Sequence, residues 1–387
     1  MEHKEYSKGI VFILLIGMVS LFADFTYEGG WSIIPQYLTR DLGVSVAVLG
    51  MVVGTAEFLG YAIRLFSGFL SSKTKHYWAT MFIGYAINLF SVPLLAITGH
   101  YLIAIILIAL IRLGKGIRVP PRDYVLSEAA KSGDIGKAFA IEEALDQIGA
   151  IIGPLTVSLL ILYNFNFNSI FALLLIPAIL SLTFLTIGYK HYKKSGISAE
   201  NEISIKGLSK KQVLIYSIAI AISAGGTYNV AFIMYGAQSV TSQFMIPLIF
   251  LVAMAGEGAF GFLFGWLYDR FGKKLLYFGL ITPIAIPLLI LNPIPIMLFL
   301  GALFFGITTG IQDTVMRSIV GNLVNKEERA FSFGIFNAFY GFGLLLAGSI
   351  IGFLYSLTYI VIIYVIILQM VAAALIWSIF KKNDLLY

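Results

Sequence analysis

Charged side chains fall inside runs of sequence otherwise too apolar for water, among them Asp24, Glu28, Glu57, Arg64, Arg112, Lys115, Glu142, Glu143, Asp146 and Glu257. A charge held in a membrane is costly unless it is paired or faces a polar cavity, so such residues mark ion or proton pathways by default. Asp24 and Glu28 are spaced i, i+4, which puts both carboxylates on one face of a helix. Arg112, Lys115, Arg118 and Arg122 fall within a sector of about 120° when wound at 100° per residue, forming one basic stripe. Arg112 and Asp146 each lie about 14 Å from an end of their runs, so an Arg112–Asp146 ion pair fits the geometry. Arg118 and Arg122 are expected nearer the interface as orientation charges, where Arg118 or Lys137 can serve Glu142 and Glu143.

The count of charges points to proton chemistry. Carboxylates in these runs outnumber the cations Arg64, Arg112 and Lys115, and an unpaired carboxylate in a low dielectric tends to hold a proton. Asp24, Glu57 and Glu257 lie about 20 to 22 Å from one end of their runs, near mid-membrane, and are the first expectations for proton carriers or cation ligands. Trp31, Tyr228, Asn229, Gln312, Asn337 and Tyr340 supply polar or aromatic groups for a cavity wall. No metal or cofactor is expected: there is no Cys, and the four His fall outside the apolar runs or at their ends. No phosphate-binding GxxxxGK[ST] occurs and no catalytic constellation converges, so the chain does not read as an enzyme.

Only membrane-spanning helices can position these groups. Of the 387 residues, 59% are hydrophobic and 12% charged, about half the charge of a soluble domain. Apolar segments lie at about 10–36, 44–70, 77–98, 101–121, 137–163 and 168–189, then at about 212–239, 243–268, 275–291, 294–317, 330–355 and 358–380, each long enough to cross a bilayer. No cleavage site of small residues follows the first run, which is therefore expected to stay as a span. The polar stretch 191–211 divides the chain into a bundle at 1–190, a linker and a second bundle at 212–387. Most of the 26 Lys and Arg fall in segments that share one side if the N-terminus is inside, among them Lys73, Lys75, Lys190 to Lys211, Arg270, Lys273 and Lys274. Both termini and the linker are therefore expected in the cytoplasm, in the cell membrane. The net charge of +6 serves orientation in this pattern, and no nucleic-acid partner is expected.

The halves repeat each other. GFLSSKTKHY at 68–77 occupies the place that GWLYDRFGKK at 265–274 occupies later, and Lys137-Ala138-Phe139 matches Arg329-Ala330-Phe331. Two six-helix repeats around a central site suit alternating access.

GWLYDRFGKK resembles the loop signature of the major facilitator superfamily, through Gly265, Leu267, Asp269, Arg270, Gly272, Lys273 and Lys274, and the resemblance extends over essentially the whole chain. Arg112, Lys115 and Gly116 resemble a fourth-helix pattern associated in that family with proton coupling. Gly149, Gly153 and Pro154 resemble part of its antiporter signature. The first-half loop departs from the pattern, with Ser72 and Lys73 for Asp-Arg and Lys75 for Gly. The resemblance implies an all-α integral membrane fold of 12 transmembrane helices in two pseudo-symmetric six-helix bundles. It also implies secondary active transport of a small molecule by alternating access, with protons and the lipid bilayer as partners and a monomer as the working unit. Asp269 and Arg270 would then act as a conformational latch. Proton-coupled efflux of a drug-like solute or metabolite is the expected activity, with proton-coupled uptake, or a receptor built on a transporter scaffold, as alternatives.

Overall fold

The computed structural model describes residues 2–129, 135–195, 211–324 and 329–382, which are helical with short connections and hold no strand. In chain order the helices are α1 (Glu2–Trp31), α2 (Val46–Thr74), α3 (Tyr77–Leu94), α4 (Tyr101–Ala129), α5 (Ile135–Leu162) and α6 (Phe167–Leu173 with Leu175–Ser195). Then come α7 (Lys211–Gly225 with Val230–Ala237), α8 (Met245–Phe271), α9 (Leu276–Leu289), α10 (Pro295–Ile311, a π turn Gln312–Met316, and Arg317–Leu323), α11 (Arg329–Leu354) and α12 (Thr358–Lys382). Among the described residues, ten helical stretches are long and apolar enough to cross a membrane. One of them, Met245–Leu289, holds α8 and α9 joined by a tight turn, and α4 adds a crossing whose apolar run is broken by Arg112, Lys115 and Arg118. The result is an all-α membrane fold of 12 helices. Large apolar side chains such as Phe262, Trp266, Ile363 and Met370 remain exposed along the helices, as hydrocarbon requires and water would not permit.

The chain divides into two compact units, Met1–Ile33 with Phe66–Ile203, and Ile34–Leu65 with Ser204–Tyr387. Most of the expected linker, residues 196–210, lies outside the described residues. In the first unit α1 packs along α5 and also meets α6 and α3, while α3 packs on α4. Small residues allow the closest of these approaches. A Cβ added to Gly149 of α5 would collide with the Leu21 carbonyl oxygen of α1, and one added to Gly153 would meet the Phe25 carbonyl and the Gly29 nitrogen. In the second unit the same device recurs: a Cβ on Gly50 would strike the Gly348 carbonyl of α11, and one on Gly348 would strike the Gly50 carbonyl.

One boundary differs from expectation, and the site depends on it. The fourth apolar segment ends at about 121, beside Pro120 and Pro121, yet α4 continues through both prolines to Ala129. Proline at 121 leaves the carbonyl of Ile117 without its helical N–H donor, and the Ser67 hydroxyl of α2 donates to that carbonyl at 2.6 Å. With the orphaned acceptor satisfied, the helix gains about 12 Å beyond residue 121.

The repeat also has a backbone signature. α8 ends at Gly272, whose φ of +55° closes the helix in the region that glycine enters freely. At the matching place after α2, Lys75 adopts a φ of +58°. The turn is kept where the residue is not, at a steric cost of about 1 kcal/mol.

Replacing Gly149 with Val should force α1 and α5 apart, lower stability by roughly 1–3 kcal/mol and reduce the yield of monodisperse protein. Thermal unfolding in detergent checks this, with Gly136→Val, where an added Cβ meets nothing within 4 Å, as the tolerated comparison.

Candidate functional site

In the first unit the acids of α1 meet the basic stripe of α4 as a two-rung ladder. Lys115 Nζ lies 3.2 Å from Asp24 Oδ2 and 3.3 Å from Glu28 Oε1, and Arg118 Nη2 donates to Asp24 Oδ1 at 2.9 Å. Asp24 and Glu28 are one turn apart, as are Lys115 and Arg118, so the two helices stay in register over both rungs. Arg118 is fully buried and Asp24 is 2% exposed. The Arg118 guanidinium also lies 4.5 Å from the ring centre of Tyr85 on α3. Room for it comes from Gly84, where a Cβ would strike the Arg118 backbone nitrogen.

Along α4 toward Ala129, Arg122 donates to Glu142 of α5 at 2.6 Å and to Asp123 at 2.8 Å. The Ser20 hydroxyl donates to the same Glu142 oxygen at 2.5 Å. In the other direction the Arg112 guanidinium covers Trp31 at 4.3 Å and Tyr27 at 5.1 Å. Those two rings stack on each other, and Lys115 Nζ sits 4.1 Å from the Tyr27 ring centre. Such contacts stabilise a desolvated cation by about 2 kcal/mol.

Asp146 of α5 completes the group. Its Oδ1 is buried without a hydrogen-bond partner among the described residues.

Against expectation, Arg118 is fully buried in the helix packing and Arg122 pairs with the buried Glu142; with α4 extended to Ala129, Arg118 lies about 16 Å from the helix end. Asp24 takes Arg118 and Lys115 as its partners, and the Arg112 guanidinium lies against aromatic faces. The excess of unpaired acids shrinks, since Asp24, Glu28 and Glu142 each have a cation within 3.3 Å. Tyr85 and Ser20 were missed altogether; a helix drawn through the prolines brings Arg118 and Arg122 into the interior and calls for such partners.

Asp24, Glu28, Trp31, Arg112, Lys115 and Asp146 thus come together in the first unit, with Gly149 and Gly153 setting how closely α5 approaches α1 and Pro154 next to them inside α5. The remaining sequence candidates belong to the second unit. Glu57 is 8% exposed. Glu257 takes a hydrogen bond from the Thr309 hydroxyl at 3.0 Å. Tyr340 donates to Gln312 at 2.5 Å, beside the π turn of α10, and its ring meets Tyr61 edge-on. Asn229 caps the second part of α7 by accepting from the Ala231 N–H, and Tyr228 packs on Phe232. Asn337 Oδ1 is buried with no hydrogen-bond partner among the described residues. At the end of α8, Gly265 faces Thr314 at ordinary contact distance, Asp269 is exposed, and Arg270 lies over Phe271 ahead of Gly272.

Arg118→Met should destabilise the protein by about 3 kcal/mol, because Asp24 stays buried with only Lys115 to balance it. Adding Asp24→Leu should restore part of the loss, as a thermal-unfolding double-mutant cycle would measure.

Comparison with known proteins places the chain among transporters. The family model described as Major Facilitator Superfamily matches residues 14–240 and 214–385. An uncharacterized protein of Mycobacterium bovis is 31% identical over 379 residues, 95% of this chain and 92% of that one. An uncharacterized MFS-type transporter of Methanocaldococcus jannaschii is 28% identical over 374 residues, 92% and 90% of the two chains. Among solved structures, the nucleoside transporter NupG aligns over 96% of this chain and 99% of its own with a TM-score of 0.74 at 17% identity. The peptide transporter POT in complex with sulfate aligns over 96% and 95% with a TM-score of 0.78 at 14% identity. At those identities the two structures speak for the fold alone.

Proposed function

The chain belongs to the Major Facilitator Superfamily, and from that premise we propose that it exports a small organic solute across the cytoplasmic membrane in exchange for protons. It works as a monomer by alternating access, with both termini in the cytoplasm. The observation that carries the coupling is the ion network in which Asp24 of α1 holds Arg118 and Lys115 of α4, with Asp146 on the helix packed along α1 and its Oδ1 buried without a hydrogen-bond partner among the described residues. Asp24 already receives Arg118 and Lys115, so the transported proton is assigned to Asp146. A half-buried acid whose proton depends on how nearby cations are placed is a coupling element, since moving one cation changes its protonation without any covalent step. The Lys and Arg distribution supports the orientation. The antiporter-like Gly149, Gly153 and Pro154 support export, and Asp269 with Arg270 is assigned the latch that biases one conformational state.

Proteoliposomes test this reading. With an acidic lumen and a mixed panel of amines, drugs, amino acids and nucleosides outside, the purified protein should accumulate at least one solute. Asp24→Asn and Asp146→Asn should lose that accumulation yet still exchange the same solute at equal pH. Accumulation only with an acidic exterior would assign uptake instead, and wild-type accumulation by both variants would remove these residues from coupling.

A further inference from the structure

We propose, resting on the coupled export above, that the exported solute is a monovalent organic cation, an amine or quaternary onium, seated where the Lys115 ammonium lies in this structure. That position has the chemistry that recognises such a group: two carboxylate oxygens at 3.2 and 3.3 Å and the face of Tyr27 at 4.1 Å, with Trp31 stacked beside it. Carboxylates joined to aromatic faces are how proteins hold ammonium ligands. Lys115 is a tethered stand-in for the ligand.

The seat can be vacated because its present occupant is the mobile member of the network. The Lys115 side chain is 20% exposed, against 1% for Arg118. Arg118 keeps its own bond to Asp24 when Lys115 leaves, so no acid is stranded in the interior. Lys115 also has a second acid to go to, since Asp146 lies on α5, packed along α1, and its Oδ1 is a buried acceptor without a hydrogen-bond partner among the described residues.

The other groups around Asp146 leave it as the responsive one. On α5, Glu142 is held by Arg122 and Ser20, and Glu143 is exposed beside Gln147. On α1, Asp24 and Glu28 hold the incoming cation. On α4, Arg118 is committed to Asp24 and, with Tyr85 of α3, forms the fixed wall. An anion would have to lie against Asp24 and Glu28 and rely on Arg112, whose face is covered by two rings.

The exchange balances. A substrate cation enters between Glu28 and the rings, the Lys115 ammonium moves to Asp146, and the Asp146 O–H gives its proton to solvent. One positive charge enters and one leaves, so the charge of the network is constant through the step. Reprotonation of Asp146 from the opposite side returns Lys115 to Asp24 and Glu28 and expels the substrate.

Titrating the full-length purified protein with tetraphenylphosphonium and with phenethylammonium in weak buffer tests the assignment. Each bound cation should release one proton, and affinity should rise about tenfold per pH unit, the slope of a one-proton exchange. Glu28→Gln should weaken both cations, while Lys115→Ala should bind them at least as well but without proton release. Phenylacetate should not bind. Absence of binding by both cations, binding without proton release in the wild type, or binding of phenylacetate in their place would overturn the proposal. Proton-linked cation binding without pH-driven flux in proteoliposomes would keep the seat and defeat the transport reading. Flux of a neutral or anionic solute without cation binding would do the reverse.

Discussion

The Arg118–Asp24 ion pair, closed off from solvent on all sides, imposes its requirements on much of the first unit. A buried guanidinium and carboxylate survive only with near-ideal geometry and with their surroundings arranged around them. Here that means a helix continued through two prolines, a serine hydroxyl on α2 that satisfies the carbonyl one of them strands, and a glycine on α3 that lets Arg118 approach Tyr85. It also means a glycine-lined contact that brings α5, with Asp146 and Glu142, close to α1. Removing any of these moves the ion pair toward an uncompensated charge.

Around this fixed pair the other charges differ in freedom. Arg122 and Glu142 form a second, serine-supported pair, whereas Lys115 is shared between two acids and an aromatic face and retains partial exposure. A rigid bond beside a divided one makes a workable switch. The rigid bond preserves the fold through the cycle, and the divided one can be remade with other partners at small cost.

The fold was legible from apolar run lengths, the central polar stretch and the repeated loop, because hydrocarbon thickness leaves few alternatives to helices of about 20 residues. The loop repeat reaches even to backbone conformation at Lys75 and Gly272. At the site, the i, i+4 acids and the basic stripe were visible, and so were the small residues of α5. What could not be read was which cation meets which acid. That assignment turned on where α4 ends, and the Pro120-Pro121 pair concealed the end because its compensation comes from Ser67, far away in sequence. Pairings such as Gly50 with Gly348 were equally hidden, since the GxxxG spacing shows that a helix can be approached closely but does not name its partner.

The claim on which the functional account rests is that Asp146 holds a proton beside the Asp24–Arg118 ion pair. Infrared difference spectroscopy of the purified protein at neutral pH reads this directly, because a protonated carboxyl has a stretch separate from that of a carboxylate. The account predicts a buried carboxylic-acid band that disappears in Asp146→Asn. A spectrum without such a band, or one that the substitution leaves unchanged, would contradict it.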